Sequence, residues 1–184
     1  MTATRVLPRL LLPILAALAV ACGDDDSLPD PTDQNLVDTL TLGSLTGTPV
    51  TTPSGFSVQA GTVRTDLTAN FDFAFDVEDD GRRVFLPRAV LGLPSTTANP
   101  GVQRRNEAFD AIVLAQSNGY VTDQAVPIAV GERYVVRSQV TCGLGVPFYA
   151  KVEVLSLEGE FAELKVLANR NCGYKGLEPG FPDR

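Results

Sequence analysis

The chain has no histidine, no tryptophan and only one methionine. Without histidine there is no Ser-His-Asp or Cys-His nucleophile, no imidazole ligand for a metal and no bis-histidine haem site. The methionine is Met1, inside an expected leader, so thioether ligation of haem goes with it. Long apolar runs are also missing. The longest, residues 10–21, is interrupted by Pro13 and falls short of the roughly 20 residues that a membrane span needs. Basic charge is scarce where the mature chain would begin. Asp24, Asp25, Asp26, Asp30, Asp33 and Asp38 precede residue 43 with no Lys or Arg among them, whereas residues 43–184 carry 16 acids and 13 bases. A nucleic-acid partner wants a basic face. Arg82-Arg83 and Arg104-Arg105 are isolated pairs that read as solvated loop charges, so no nucleic acid is expected.

What is present begins with an address. Arg5 and Arg9 precede the apolar run, which ends in Leu18-Ala19-Val20-Ala21-Cys22. Basic, apolar and small residues in that order read as a secretory signal peptide, 1–21. The cysteine at the cut is the arrangement of a bacterial lipoprotein, with Cys22 as the lipidation site; a plain signal peptide is the alternative. Removal of the leader takes away Arg5 and Arg9 and no acid, moving the net charge from −7 to −9. One acyl chain holds a membrane weakly; the three of a mature bacterial lipoprotein hold it stably. The expected location is the bacterial cell envelope, lipid-anchored at the outer membrane or the periplasmic face.

Three cysteines then divide cleanly. With Cys22 lipidated, Cys142 and Cys172 remain, 30 residues apart, and an exported compartment favours their oxidation to a disulfide. There is no CxxC spacing and no histidine to complete a zinc site.

Residues 22–43, rich in Asp with Thr and Pro, read as an acidic flexible tether. Residues 44–184 read as one antiparallel β domain, a meander or a sandwich, because period-two alternation dominates and no useful helical period occurs. Strands are expected at 56–60, 71–77, 84–93, 108–114 and in part of 120–130. In 71–77, Phe71, Phe73, Phe75 and Val77 fall on one face and Asp72, Ala74 and Asp76 on the other. Asp80-Gly81 predicts a tight hairpin turn with positive φ at both central residues. Pro87 belongs at a bulge or edge. The last third predicts a three-strand meander, with Glu158-Gly159 as its second turn. Cys142 and Cys172 then leave the outer strands at one end. Those strands lie about 9–10 Å apart, so the loops must fold over the strand ends to bring the Cα atoms within the roughly 7 Å that a bridge allows. The tail 173–184 is expected to be irregular and to pack at the disulfide end.

The remaining chemistry is carboxylate chemistry. Asp76-Val77-Glu78-Asp79-Asp80-Gly81 imitates the first half of a calcium loop, but Pro87 stands where the bidentate Glu belongs. The hairpin turn is the preferred reading, with a weak calcium site near Asp76–Asp80 left open. Asp72 and Asp76 on one strand lie about 13 Å apart, beyond the roughly 5–9.5 Å of a glycosidase pair. Asp76 and Glu78 fit the spacing, but a solvated strand face explains them. No catalytic residue, cofactor or metal ligand is assigned, and an enzyme is not expected.

Three segments in order resemble the HmuY-type haem-carrier lipoproteins. Phe71-Asp72-Phe73-Ala74-Phe75 is similar to that family's Trp-Asp-x-x-Phe strand, with Phe71 in place of Trp. Tyr134-Val135-Val136-Arg137 and Tyr149-Ala150-Lys151-Val152 are similar to its Tyr-Val-Val-Lys/Arg and Tyr-x-Lys-Ile strands. The resemblance implies an all-β lipoprotein fold. It does not carry over haem ligation, because the family's ligating histidines or methionines have no counterpart here. Tyr120, Tyr134, Tyr149 and Tyr174 are then the side chains of axial-ligand type, with half-buried packing as the other reading.

These observations lead to the expectation of a non-catalytic binding or interaction module. Its partners are the membrane, through the anchor, and an envelope protein or small ligand. Contact regions are placed at the Pro/Gly-rich loop 94–106 and at 143–147. The alternatives are an immunoglobulin-like structural or assembly module, which would lack the Cys-Trp-Cys spacing, and an HmuY-like tetrapyrrole carrier without histidine ligation.

Overall fold

The computed structural model describes residues 28–95 and 97–183. The expected signal peptide 1–21 and lipidation site Cys22 lie outside the described residues. The all-β antiparallel expectation holds: two five-stranded antiparallel sheets face each other without closing into a barrel. The meander sheet contains, in spatial order, β1 (Val37–Gly43), β10 (Phe161–Asn169), β9 (Tyr149–Glu158), β8 (Arg133–Arg137) and β6 (Gly101–Arg105). The phenylalanine sheet contains β3 (Gly61–Val63), β2 (Gly55–Ser57), β4 (Phe73–Val77), β5 (Arg83–Pro87) and β7 (Val126–Pro127).

The core follows from the alternation. Tyr134, Val136, Ala150, Val152, Val154, Leu164 and Val166 of the meander sheet meet Phe56, Phe73, Phe75 and Phe85 of the other. Phe56, Phe73, Phe85 and Tyr134 form a chain of ring contacts with centroid separations of 5.2, 4.3 and 5.4 Å. Such tilted and edge-on pairs suit the ring quadrupole. The predicted β8–β9–β10 meander is present. Gly159, with φ 54°, is the first of two loop residues between Glu158 and Phe161, the glycine position of a type II′ hairpin. A bulge between Glu163 and Leu164 leaves Leu155 unpaired and exposed.

Several expectations are corrected. The tether reading fails over residues 37–43, which form the edge strand β1, in register with β10 from Val37↔Leu167 to Gly43↔Phe161. Residues 28–36 are tied down as well. Asn171 Oδ1 accepts from the Thr32 and Asp33 amides, and Asn35 exchanges two backbone bonds with Gly180. The loop 94–106 ends early, because residues 101–105 pair with β8 as β6. The strand 84–93 stops at Pro87, where turns begin whose amides bond to the Pro87, Arg88 and Ala89 carbonyls. The strand 108–114 is instead a single 3₁₀ turn, Phe109–Ala111, followed by irregular chain. Its backbone partners lie in the C-terminal tail: Ala115 N–H bonds to Lys175 O, and Leu177 N–H to Val113 O. Phe109, Ile112, Ala115 and Leu177 thereby cover the outer face of the meander sheet at Val135, Tyr149 and Leu167, making a second apolar cluster. At Asp80-Gly81 only Gly81 has positive φ, 82°. Gly81 N–H bonds to Glu78 O, and Glu78 N–H to Arg82 O, so the turn is a type I turn closed by a glycine bulge.

Candidate functional site

The register row Gly101↔Arg137, Arg137↔Tyr149, Asn169↔Tyr149 brings the start of β6, the end of β8, the start of β9 and the end of β10 to one end of the molecule. The disulfide closes that end. Cys142 and Cys172 are bridged with a Cα–Cα distance of 5.8 Å, less than two strand spacings. The expected folding of the loops over the strand ends is therefore what the chain does.

Asp72 holds the two sheets together here. It is buried, and its carboxylate accepts from Val58 N–H at 2.8 Å on the phenylalanine sheet and from Gln139 N–H at 2.9 Å beyond β8. Burial pushes the Asp72 carboxyl up to about 6, against the two amides and the nearby Arg88 guanidinium, which pull it down. Arg88 itself donates to Leu93 O at 2.8 Å and to Gln139 Oε1, and the Gln139 amide donates to Asn70 Oδ1 at 3.2 Å. Asp72 is thus a tie between sheets, not a group on an open strand face.

Beside this tie the sandwich is open along one edge. A cleft of about 210 Å³ lies between β1 and β10 on one side and β2 on the other. Leu40, Phe56, Val58, Val166 and Ala168 form its apolar floor, and Asp33, Asp38 and Arg170 its charged rim. Phe56, Val58 and Val166 are also members of the inter-sheet core, so the cleft reaches that core directly. Sequence reasoning missed it, because half of its wall comes from residues assigned to the tether. The two expected contact loops flank the same end. In the first loop the Arg137 guanidinium donates to Asn99 O at 2.8 Å. Loop 143–147 turns at Gly145, φ 73°, and leaves Leu144 exposed.

The acidic hairpin is at the other side of the fold. Asp76 is buried against expectation; its Oδ1 accepts from Ser44 Oγ at 2.7 Å and from the Thr46 amide and hydroxyl at 3.0 and 2.9 Å. Arg82 bridges Asp80 at 2.7 Å and Glu78 at 2.8 Å. Among the described residues no group of three acids or cysteines is placed to hold a metal ion.

Three of the four tyrosine hydroxyls have partners within the protein. Tyr134 donates to Pro127 O at 3.1 Å and also contacts Glu132; Tyr174 donates to Pro29 O at 2.9 Å and Tyr120 to Gln116 O at 2.8 Å. Burial pushes the Tyr120, Tyr134 and Tyr149 phenols up, away from the phenolate that binds iron. Tyr149 packs against Tyr120 in the second cluster, with ring centroids 6.4 Å apart. Lys151, in the Tyr149-Ala150-Lys151-Val152 segment, is buried under that cluster. Its ammonium donates to Ile112 O at 3.1 Å and lies 4.6 Å from the Phe109 ring centroid, and burial lowers its pKa. Alternation put Lys151 on the face away from the main core; only the overlying 109–115 segment buries it.

No protein-family model matches the chain, and comparisons with curated proteins and with solved structures return no match.

Proposed function

We propose that the chain is a lipid-anchored protein of the bacterial cell envelope whose β-sandwich is a non-catalytic binding or interaction module, and that the edge cleft is its binding site. The observation that carries this reading is the cleft's construction. An apolar floor continuous with the core stands beneath a rim of two carboxylates and one guanidinium, so the cleft pairs apolar surface with convergent polar groups that can orient a ligand. The anchor part rests on Arg5, Arg9, the apolar run and Cys22. The cleft's volume, about 210 Å³, is below the roughly 300–1,000 Å³ of drug-sized ligand sites. It therefore suits a small amphipathic molecule or a single apolar side chain of a protein partner.

The test is recovery of the oxidised protein from its own envelope, with intact mass, an absorbance scan and identification of co-purifying species. Acyl mass on an N-terminal Cys22 with a stoichiometric protein or small molecule supports the proposal. An unmodified Cys22, or a protein that carries nothing, counts against it. A co-purifying chromophore would favour the tetrapyrrole-carrier alternative. The immunoglobulin-like alternative draws on the two-sheet architecture. Its usual bridge joins the two sheets, whereas Cys142–Cys172 joins the ends of β8 and β10 within one sheet.

A further inference from the structure

Where the chain enters the domain bears on how the domain sits on its membrane. Leu28 packs in the space left open by Gly173, whose φ is 89°; a Cβ there would lie 2.5 Å from the leucine side chain. Pro29 O accepts from the Tyr174 hydroxyl, and Thr32, Asp33 and Asn35 are laced to Asn171, Gly176, Glu178 and Gly180. The covalent path from Cys22 to the seated part of the domain is therefore six residues. Whatever their conformation, six residues span at most about 20 Å. The tether expected through residue 43 would have let the domain hang far from the bilayer; the chain seated at Leu28 does not.

An exposed apolar patch lies at that entry point. Leu28 and Leu114 line one shallow hollow, and Val113, Leu114, Pro179, Phe181 and Pro182 line the next. Leu114 belongs to both, so the two are continuous. Phe181 is 54% exposed and Leu114 52% exposed. Glu178, Asp183 and Lys175 stand at the margins. Among the described residues the patch therefore has no basic cluster to draw it to anionic headgroups, and its apolar side chains supply the contact.

We propose that this patch is a membrane-docking surface: Leu28, Val113, Leu114 and Phe181 rest in the interface of the bilayer that holds the Cys22 anchor, fixing the domain's orientation. The occupant is a lipid surface because the anchor confines the patch to within a short chain length of one. The acyl chains hold the protein to the bilayer, and apolar side chains seated in the interface beside them add buried area that favours one orientation of the domain. The inference rests on the anchor reading and is independent of what the cleft binds.

The absence of tryptophan makes the test clean. Full-length lipidated protein carrying Phe181→Trp is reconstituted in vesicles of phosphatidylethanolamine and phosphatidylglycerol, with and without brominated acyl chains. Val50→Trp, on an exposed site in the loop after β1 at the far end, is the control. Docking predicts a blue-shifted Phe181→Trp emission that loses most of its intensity to brominated chains, while Val50→Trp emits as in water and is unquenched. Intact mass is taken on the same samples. An acylated Cys22 with water-like, unquenched emission from Phe181→Trp overturns docking and leaves the anchor standing. A blue shift without quenching by brominated chains means that protein covers the patch, and also overturns docking. An unmodified Cys22 overturns the anchor reading and the docking proposal with it.

Discussion

Asp72 shows how far one residue can depart from its strand pattern. Alternation put it with Asp76 on a common face, which is true of the backbone, but each carboxylate is buried by a different distant partner. The sign of its effect on stability follows from its raised pKa. Folding favours the protonated form, so the contribution is fully present below the ordinary carboxylate pKa and is lost as pH rises through about 6. A displacement of about two pKa units corresponds to about 3 kcal/mol. Urea unfolding at pH 3 and pH 7 should therefore show that much more decline in the wild type than in Asp72→Asn. Equal slopes would mean that Asp72 titrates in the folded protein as it does unfolded. The substitution also turns an amide NH₂ toward Val58 or Gln139 N–H, so it should cost about 1–3 kcal/mol at low pH. Gly81 is a simpler case. Its φ of 82° is available to other L-residues at a cost of roughly 1–2 kcal/mol, and Gly81→Ala should lower stability by about that amount without altering the anchor end.

At the scale of elements, what was legible in the sequence was local. The β9–β10 and β4–β5 hairpins have short connections, β8 pairs with β9 across a longer loop, and all of these strands alternate and are where the pattern puts them. What was not legible depends on distant pairing. Leu40 and Leu42 alternate with Thr39 and Thr41, yet the Asp and Thr content disguised β1, and its partner β10 lies more than a hundred residues later in the chain. Residues 108–114 carry an apolar pattern that fits a strand. Their backbone groups instead find the C-terminal tail, and their side chains lie on the outer face of a sheet already built. The cleft was hidden for the same reason, since β1 is one of its walls. The disulfide was legible from the cysteine count together with the expectation of export. It closes a 30-residue separation across β9 and should be worth roughly 3–4 kcal/mol. Reduction, or the double change Cys142→Ala and Cys172→Ala, should shift the urea midpoint by that amount. An unchanged midpoint would mean that the loops it joins are equally restricted without it.

At the scale of the whole molecule, the N-terminal arm, the meander sheet and the C-terminal tail are one unit. A chain cut at residue 44, where the alternation becomes clear, would lose β1, uncover the edge of β10 and strip Asn171, Gly176, Glu178 and Gly180 of their bonds to residues 32–35. Residues 44–184 should therefore fail to give a cooperative unfolding transition, whereas residues 28–184 should give one; circular dichroism during heating distinguishes them. The same unity confines the binding edge and the apolar patch to the end nearest Cys22.

The central claim is the proposal that the edge cleft is this protein's binding site. It is tested most directly by capture from the native envelope with three proteins: wild type, Ala168→Phe, which fills the cleft, and Val50→Arg, an exposed change at the far end. The species recovered stoichiometrically with wild type should be lost from Ala168→Phe and kept by Val50→Arg, with both variants unfolding at the wild-type temperature. Retention of that species by a folded Ala168→Phe protein would contradict the claim.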